Sequence, residues 1–325
     1  MPDPEPEDKS LASYDMSVIL VTGSYDRNIR FWEAWTGICS RTIERSSESG
    51  QVNRLTISPD KRFLAAAVYK KVHLYDVAGT SSTPIFVFEG HRSNVTTLSF
   101  IRAGKWLITG SEDGTIKLWD MRNASLFRSF DNGSPVNDIC VHPNQVELIS
   151  CDEAGVIKQW DLSKGLCTHE LGAAGDPPVK SISLAADGSC LIAGNTKGKC
   201  YVWRINDRAT GLPRFQAIAT FQAHHGYITR ILLSPDMRHL ATCSADKTAK
   251  IWIITDNYDF RQRQVLRGHE RWVWDCAFSA DSAYILTASS DRTARLWDVV
   301  SGRTVFVYQG HSKAAVCCAL HDGVI

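Results

Sequence analysis

No apolar run in this 325-residue chain approaches the ~18 residues a membrane-crossing helix needs. The first ten residues, MPDPEPEDKS, are acidic and proline-rich, where an export signal would be basic and then apolar. There is no Cys-x-x-Cys pair and no Cys/His cluster with zinc-ligand spacing, which removes the common metal-binding frameworks. The ten cysteines are scattered, several inside apolar segments (Cys140, Cys243, Cys276, Cys317, Cys318), and read as small buried side chains and not as a disulfide framework. An excess of one charge sign is missing too: 36 basic residues face 35 acidic ones, so the net field selects neither nucleic acid nor anionic lipid. The expectation is a cytoplasmic chain with reduced thiols, no metal or other cofactor, no nucleic-acid partner and no membrane insertion. The Asn-x-Ser/Thr matches at Asn94, Asn123 and Asn132 are then chance matches.

What the chain does have is a period. An aromatic residue ends an apolar segment at Trp32, Tyr75, Trp119, Trp160, Trp203, Trp252 and Trp297, at intervals of 43, 44, 41, 43, 49 and 45 residues. That spacing lays down one four-stranded propeller blade at a time and predicts an all-β, seven-bladed β-propeller. The last full unit shows the order: an inner strand over 272–279, a turn at Ala280-Asp281-Ser282, a second strand over 284–289, a turn at Asp291, a third strand ending at Trp297-Asp298, and an outer strand. The first unit has no inner strand before Val18, whereas the last segment, GHSKAAVCCALHDGVI, begins a unit and stops. One blade is therefore expected to be built from both chain ends, which removes a free sheet edge. Residues 18–325 read as a single propeller, preceded by a disordered tail over 1–17.

Polar residues recur with the same period. His91, Ser111, Asp113 and Trp119 form one set; His224, Ser244, Asp246 and Trp252 a second; His269, Ser289, Asp291 and Trp297 a third. Across the chain ends, His311 completes a fourth with Ser24, Asp26 and Trp32. Serine, histidine and aspartate together suggest an acyl-transfer triad. An active site occurs once, however, and this set occurs four times. It is expected to lock the strands of a blade, with the turn Asp fixing a His that bonds the Ser and the indole. No catalytic residue is expected. The second, fourth and fifth units depart from the pattern, with Glu48, then Asn132 and Ala154, then Gly175 and Lys197, and are expected to lack the full network.

The Gly-His loops, Ser-x-Asp turns and Trp-Asp strand ends resemble the WD-repeat family of β-propellers over 18–325. Such a fold offers surfaces, so the question becomes which surface is unusual. The residues flanking the buried aliphatic of each inner strand should ring the mouth of the central channel. Among them are Gln51, Asn53, Asn94 and Tyr227, and the pair Trp272 and Trp274 around Val273. Aromatics there are expected to anchor a partner, with the polar residues as a rim. Segments such as HPNQVELISCDEAG, LATCSADKTAKIW and CAFSADSAYILTASSDRTARLW resemble the G-protein-β-subunit-like subunits of the target-of-rapamycin kinase complexes. That resemblance implies a noncatalytic subunit of complexes 1 and 2 that docks by its loop-bearing face on the C-terminal lobe of the kinase domain. It also implies no homo-oligomer of its own, and recruitment to endomembranes through the kinase. The competing reading is a substrate receptor of a cullin-type ubiquitin ligase, for which Trp119-Asp120-Met121-Arg122 supplies a WD-x-Arg pattern. A heterotrimeric G-protein β subunit would need an amino-terminal coiled-coil helix, which seventeen proline-containing residues do not supply.

Overall fold

The computed structural model describes residues 18–44, 50–101, 104–172, 177–206, 212–255 and 258–323. The expected tail over 1–17, Glu48 and Gly175 lie outside them. Among the described residues the chain forms seven four-stranded antiparallel sheets, a seven-bladed propeller. Sequential strands pair within each sheet because short turns return the chain antiparallel. The exception is the first blade, where the terminal strand Ala315–His321 pairs with Ile19–Ser24 and supplies the inner strand. The inner strands then follow one another in a closed circle.

Each blade buries its faces only against its neighbours. The periodic aromatic is the residue that makes this possible, because it packs against the outer strand of the preceding blade. Tyr308 meets Trp32 with ring centroids 5.6 Å apart, Phe88 meets Trp119 at 5.7 Å, Phe130 meets Trp160 at 5.8 Å and Phe221 meets Trp252 at 4.9 Å. Tilted ring pairs of this kind contribute about 0.5–1.5 kcal/mol beyond burial. Where the sheets approach closely a side chain would not fit: a Cβ on Gly110 would fall 2.7 Å from Val136 Cγ1 of the next blade.

The recurring polar sets sit inside single blades, as expected, but their wiring differs from the sequence reading. His91 Nδ1 faces Asp113 Oδ2 at 2.9 Å and His91 Nε2 faces Thr109 Oγ1 at 2.7 Å, while Trp119 Nε1 donates to the same threonine at 2.9 Å. A carboxylate only accepts, so Nδ1 carries the proton and Nε2 of the neutral ring accepts from the threonine hydroxyl. The hub that joins indole and imidazole is thus Thr109, not Ser111. Ser111 Oγ instead accepts from Asp113 N (3.1 Å) and closes the turn. Thr22 serves His311 and Trp32, Thr242 serves His224 and Trp252, and Thr287 serves His269 and Trp297 in the same way. Ser24, Ser244 and Ser289 repeat the turn-closing role. Histidine over the second-strand threonine is what ties the entry loop to the middle of the sheet.

The fourth blade also departs from expectation, for it rebuilds the network with different residues. Asn132 Nδ2 donates to Asp152, Ser150 Oγ donates to Asn132 Oδ1 at 3.2 Å, and Trp160 Nε1 donates to Ser150 at 2.9 Å. In the second and fifth blades alanines, Ala66 and Ala193, pair with the third strand where the hub hydroxyl would be, so Tyr75 and Trp203 have no threonine oxygen there. Tyr75 is buried all the same, whereas Trp203 is half-exposed and stacks on Tyr201 at 6.0 Å.

Burial works to raise the turn carboxyls, but hydrogen bonds from the histidine and backbone N–H groups, joined at Asp113, Asp246 and Asp291 by a neighbouring threonine, outweigh it. Asp26 and Asp113 come down to about 2, and Asp246 and Asp291 lie well below the usual carboxylate range. A carboxyl depressed on folding stabilises the protein above its unfolded value of about 3.9, and this is lost as pH falls through the folded value. The denaturant midpoint should therefore decline from about pH 4 towards pH 2. Asp113→Asn should flatten that decline, and an unchanged slope would contradict the assignment.

Two further outcomes follow from the wiring. Thr109→Val, which leaves indole and imidazole without their shared hydroxyl, should cost about 1–3 kcal/mol, comparable to Asp113→Ala or Asp291→Ala, and Ser111→Ala about 0.5–1.5 kcal/mol. Equal stability of the threonine variant and wild type in urea would return the hub to the serine. Deleting residues 309–325 strips the first blade of its inner strand and of His311, and should give insoluble or rapidly degraded protein. Soluble protein with an unshifted melting transition would refute the closure.

Candidate functional site: the channel mouth

Every inner strand carries one extra residue just after its buried aliphatic. The pairing register with the second strand shifts between Val52 and Arg54, Val95 and Thr97, Val136 and Asp138, Val179 and Ser181, Ile228 and Arg230, and Val273 and Asp275. The terminal strand does the same around Val316. A bulge breaks the strict alternation of a strand and re-aims the unpaired residue. The bulged residues Asn53, Thr96, Asn137, Lys180, Thr229, Trp274 and Val316 all line one recess of about 220 Å³ at the channel mouth. Gln51, Asn94 and Glu112 line it as well, with Tyr25, Arg54 and Val95.

A bulge also leaves a backbone carbonyl without its ladder partner, and here the next blade's carbonyl is met by a side chain from the bulge before it. Thr96 Oγ1 donates to Val136 O (2.7 Å), Asn137 Nδ2 to Val179 O (2.8 Å), Thr229 Oγ1 to Val273 O (2.5 Å) and Asn53 Nδ2 to Val95 O (3.3 Å). The rim residues therefore stitch blade to blade as well as facing solvent.

The residues one step further along the strand point down the channel, and sequence reasoning missed them. Arg54 reaches Asp275 at 3.0 Å and Asp138 at 3.3 Å, and Arg230 reaches Asp138 at 2.5 Å and Asp275 at 3.4 Å. Four blades thus contribute two cations and two anions to a largely buried quartet. Spare lone pairs are used up. Asp138 also accepts from Thr97 Oγ1, Ser181 Oγ and Ile182 N, and Asp275 from Cys276 N and Cys318 N. Burial opposes ionisation of Asp138, yet Arg230 and Arg54 hold its carboxyl below the ordinary range. The signal was in the sequence, as charged residues two positions past a buried aliphatic in four inner strands. Arg54→Met breaks the quartet and strands carboxylates out of water, which should cost about 3–5 kcal/mol in urea unfolding. A change below 1 kcal/mol would mean that water at the mouth compensates.

Of the expected partner-binding residues, the structure brings Gln51, Asn53, Asn94 and Trp274 together in the recess, with Tyr227 and Trp272 beside it. Trp272 is 42% exposed, and it lies between Trp274 (centroids 5.2 Å apart) and Tyr227 (5.9 Å, near-parallel). Lys180 Nζ lies over the Tyr227 ring, 5.8 Å from its centroid, and pairs with Glu153. Trp274 differs from its expected place outside the blade core. Its indole packs against the apolar core between the first and second blades and donates to Ser290 Oγ at 2.6 Å, so its removal should also disturb the fold. Asn94 Nδ2 donates to Glu112 at 2.8 Å. Arg122, the informative residue of the WD-x-Arg pattern, is turned back onto Asp120 of the same motif.

Comparison with known proteins agrees with this architecture. A family model described as the IFT122 first beta-propeller matches residues 51–322, and the WD domain, G-beta repeat model matches residues 9–33. The chain is 57% identical over 306 residues to the target of rapamycin complex subunit wat1 of Schizosaccharomyces pombe, covering 94% of this chain and 96% of that one. It is 54% identical to target of rapamycin complex subunit LST8 of Saccharomyces cerevisiae, over 94% and 100% of the two chains. The chain belongs to the LST8 family of WD-repeat propellers. A mammalian member of the LST8 family, from Bos taurus, is 42% identical over 321 residues, 95% of this chain and 96% of its own. No helix long and apolar enough to cross a membrane occurs among the described residues.

Proposed function

We propose that this chain is a noncatalytic scaffold subunit of the target-of-rapamycin kinase complexes 1 and 2. The observation that carries the reading is its near full-length likeness to proteins named as subunits of target of rapamycin complexes. The channel mouth supports a docking role in physical terms. It offers an exposed indole on a stacked aromatic platform, polar side chains around it, and a frame fixed by blade-to-blade hydrogen bonds. A partner meeting such a frame pays little ordering cost at the interface. In this reading the mouth, with Trp272, Trp274, Tyr227, Gln51, Asn53 and Asn94, holds the C-terminal lobe of the kinase domain in the cytoplasm. Any effect on kinase activity arises because the rigid ring favours one arrangement of its partner.

Co-purification with the target-of-rapamycin kinase tests it. Trp272→Ala should weaken binding by about 2–4 kcal/mol, as buried hot-spot aromatics do, without moving the unfolding midpoint. Trp274→Ala should lower both binding and stability, given its core contact and its bond to Ser290. Single replacements of Gln51, Asn53 or Asn94 should each cost about 0.5–1.5 kcal/mol of binding. Arg62 and Arg238, in exposed turns at the other end of the blades, serve as controls. Full kinase recovery with Trp272→Ala, or loss with the control variants, would move the interface elsewhere.

A further inference from the structure

The turn between the second and third strands places one residue in the left-handed region at the same position of six blades. In the third, fourth and fifth blades it is glycine: Gly114, Gly155 and Gly198, at φ 77°, 83° and 79°. In the sixth, seventh and first blades, which follow one another around the ring, it is Lys247, Arg292 and Arg27, at φ 73°, 73° and 74°. A residue with a Cβ is disfavoured at such a φ, and glycine is not. The fold takes nothing back from these side chains. Among the described residues, none of the three cations forms an ion pair or a side-chain hydrogen bond, and neither do Arg271 and Lys313 in the entry loops beside them. Lys247, Arg292, Arg271 and Lys313 are exposed, and Arg27 is half-buried. Backbone strain kept without a local return points to use by a partner.

The turns that carry these cations are bonded to the channel mouth. Ala245 N donates to Tyr227 O at 2.9 Å, Ser290 N to Trp272 O at 2.9 Å and Tyr25 N to Ala314 O at 3.0 Å. The cations therefore form an arc around the aromatic side of the recess, with Glu270 an exposed carboxylate among them. Across the recess the charge reverses. On the third and fourth blades Glu112 accepts from the neutral Ser93 Oγ and Asn94 Nδ2 (3.2 and 2.8 Å), and Glu153 is held by Lys180 and Asn137, with Arg92 an exposed cation on that side. We propose that the arc takes an acidic segment of a protein partner, whose carboxylates meet Lys247, Arg271, Arg292, Arg27 and Lys313 while an apolar side chain lies on Trp272. The reversal of charge across the recess then fixes which way the segment runs. A peptide suits this arrangement where an anionic lipid surface does not, because a flat surface would meet Glu112 and Glu153 as well and would put no side chain into the recess. The proposal rests on the mouth being the docking face of this chain, and not on the kinase being what docks there.

Fluorescence anisotropy of a short labelled peptide of glutamates around one leucine, titrated with the full chain, tests it, and the lysine counterpart is the control. The glutamate peptide should bind, and bind less well as salt is raised, whereas the lysine peptide should not bind. Replacing the three turn cations together, Arg27→Gly, Lys247→Gly and Arg292→Gly, should weaken the glutamate peptide about tenfold. The urea midpoint of that variant should not fall, since glycine relieves the left-handed turns. Arg271→Gln with Lys313→Gln, which leaves the turns untouched, should weaken the peptide too. Equal affinity of the glycine variant and wild type would overturn the proposal, and so would binding to phosphatidylserine vesicles with no binding of the glutamate peptide. Co-purification separates the arc from the identity of its partner. Peptide binding with no kinase recovered would refute the kinase and leave the acidic segment; equal kinase recovery by wild type and glycine variant, with no peptide bound, would do the reverse.

Discussion

One extra residue near the start of each inner strand sets the geometry on which the rest of this ring depends. A regular strand would send successive side chains to the two faces of the blade. The bulge sends one residue to the mouth and the next down the channel. The first group, from Asn53 to Trp274, becomes a rim that hydrogen-bonds the following blade; the second delivers Arg54, Asp138, Arg230 and Asp275 to a shared ionic quartet. Each blade is in this way fastened to its neighbours at the axis, where the sheets converge. The periodic tryptophans fasten them further out, against the preceding outer strand.

The two kinds of contact do different things. Aromatic packing is non-directional and supplies most of the burial. The quartet adds little net stability for its size, because removing charges from water costs nearly what pairing returns, but it penalises any arrangement that leaves one charge alone. A ring built on both is hard to open at the axis. The Asp-His-Thr-Trp relays then brace individual blades, and they are not evenly spread. The first, third, sixth and seventh blades have the relay, the fourth has a shorter version through Asn132 and Ser150, and alanines replace the hub in the second and fifth. Local opening should favour the blades with fewer such ties.

Much of this was legible in the sequence. The strand order, the closure across the chain ends and the turn aspartates follow from a forty-odd-residue period and from turn chemistry that local sequence encodes. What escaped the reading was longer in range. Thr109 and its equivalents stand two residues before a serine that looked chemically more telling, and only coordinates separate the two hydroxyls. Asn132 and Ser150 looked like losses because they were judged by identity and not by whether they could still donate and accept. The quartet joins residues up to 221 positions apart, and no local pattern pairs Arg54 with Asp275. The rim was found by alignment of inner strands, yet the inward lean of Trp274 depends on Ser290 across the bulge.

We propose that the stitched, preformed rim is where this member of the LST8 family meets its partner. Hydrogen exchange of the free protein and of the kinase-bound protein, compared peptide by peptide, tests that most directly. Binding should slow exchange at the entry ends of the inner strands, around residues 50–54, 92–97, 226–230 and 271–275, and leave the turns around 60–62 and 236–238 unchanged. Protection confined to those opposite turns, with the rim exchanging as in the free protein, would contradict it.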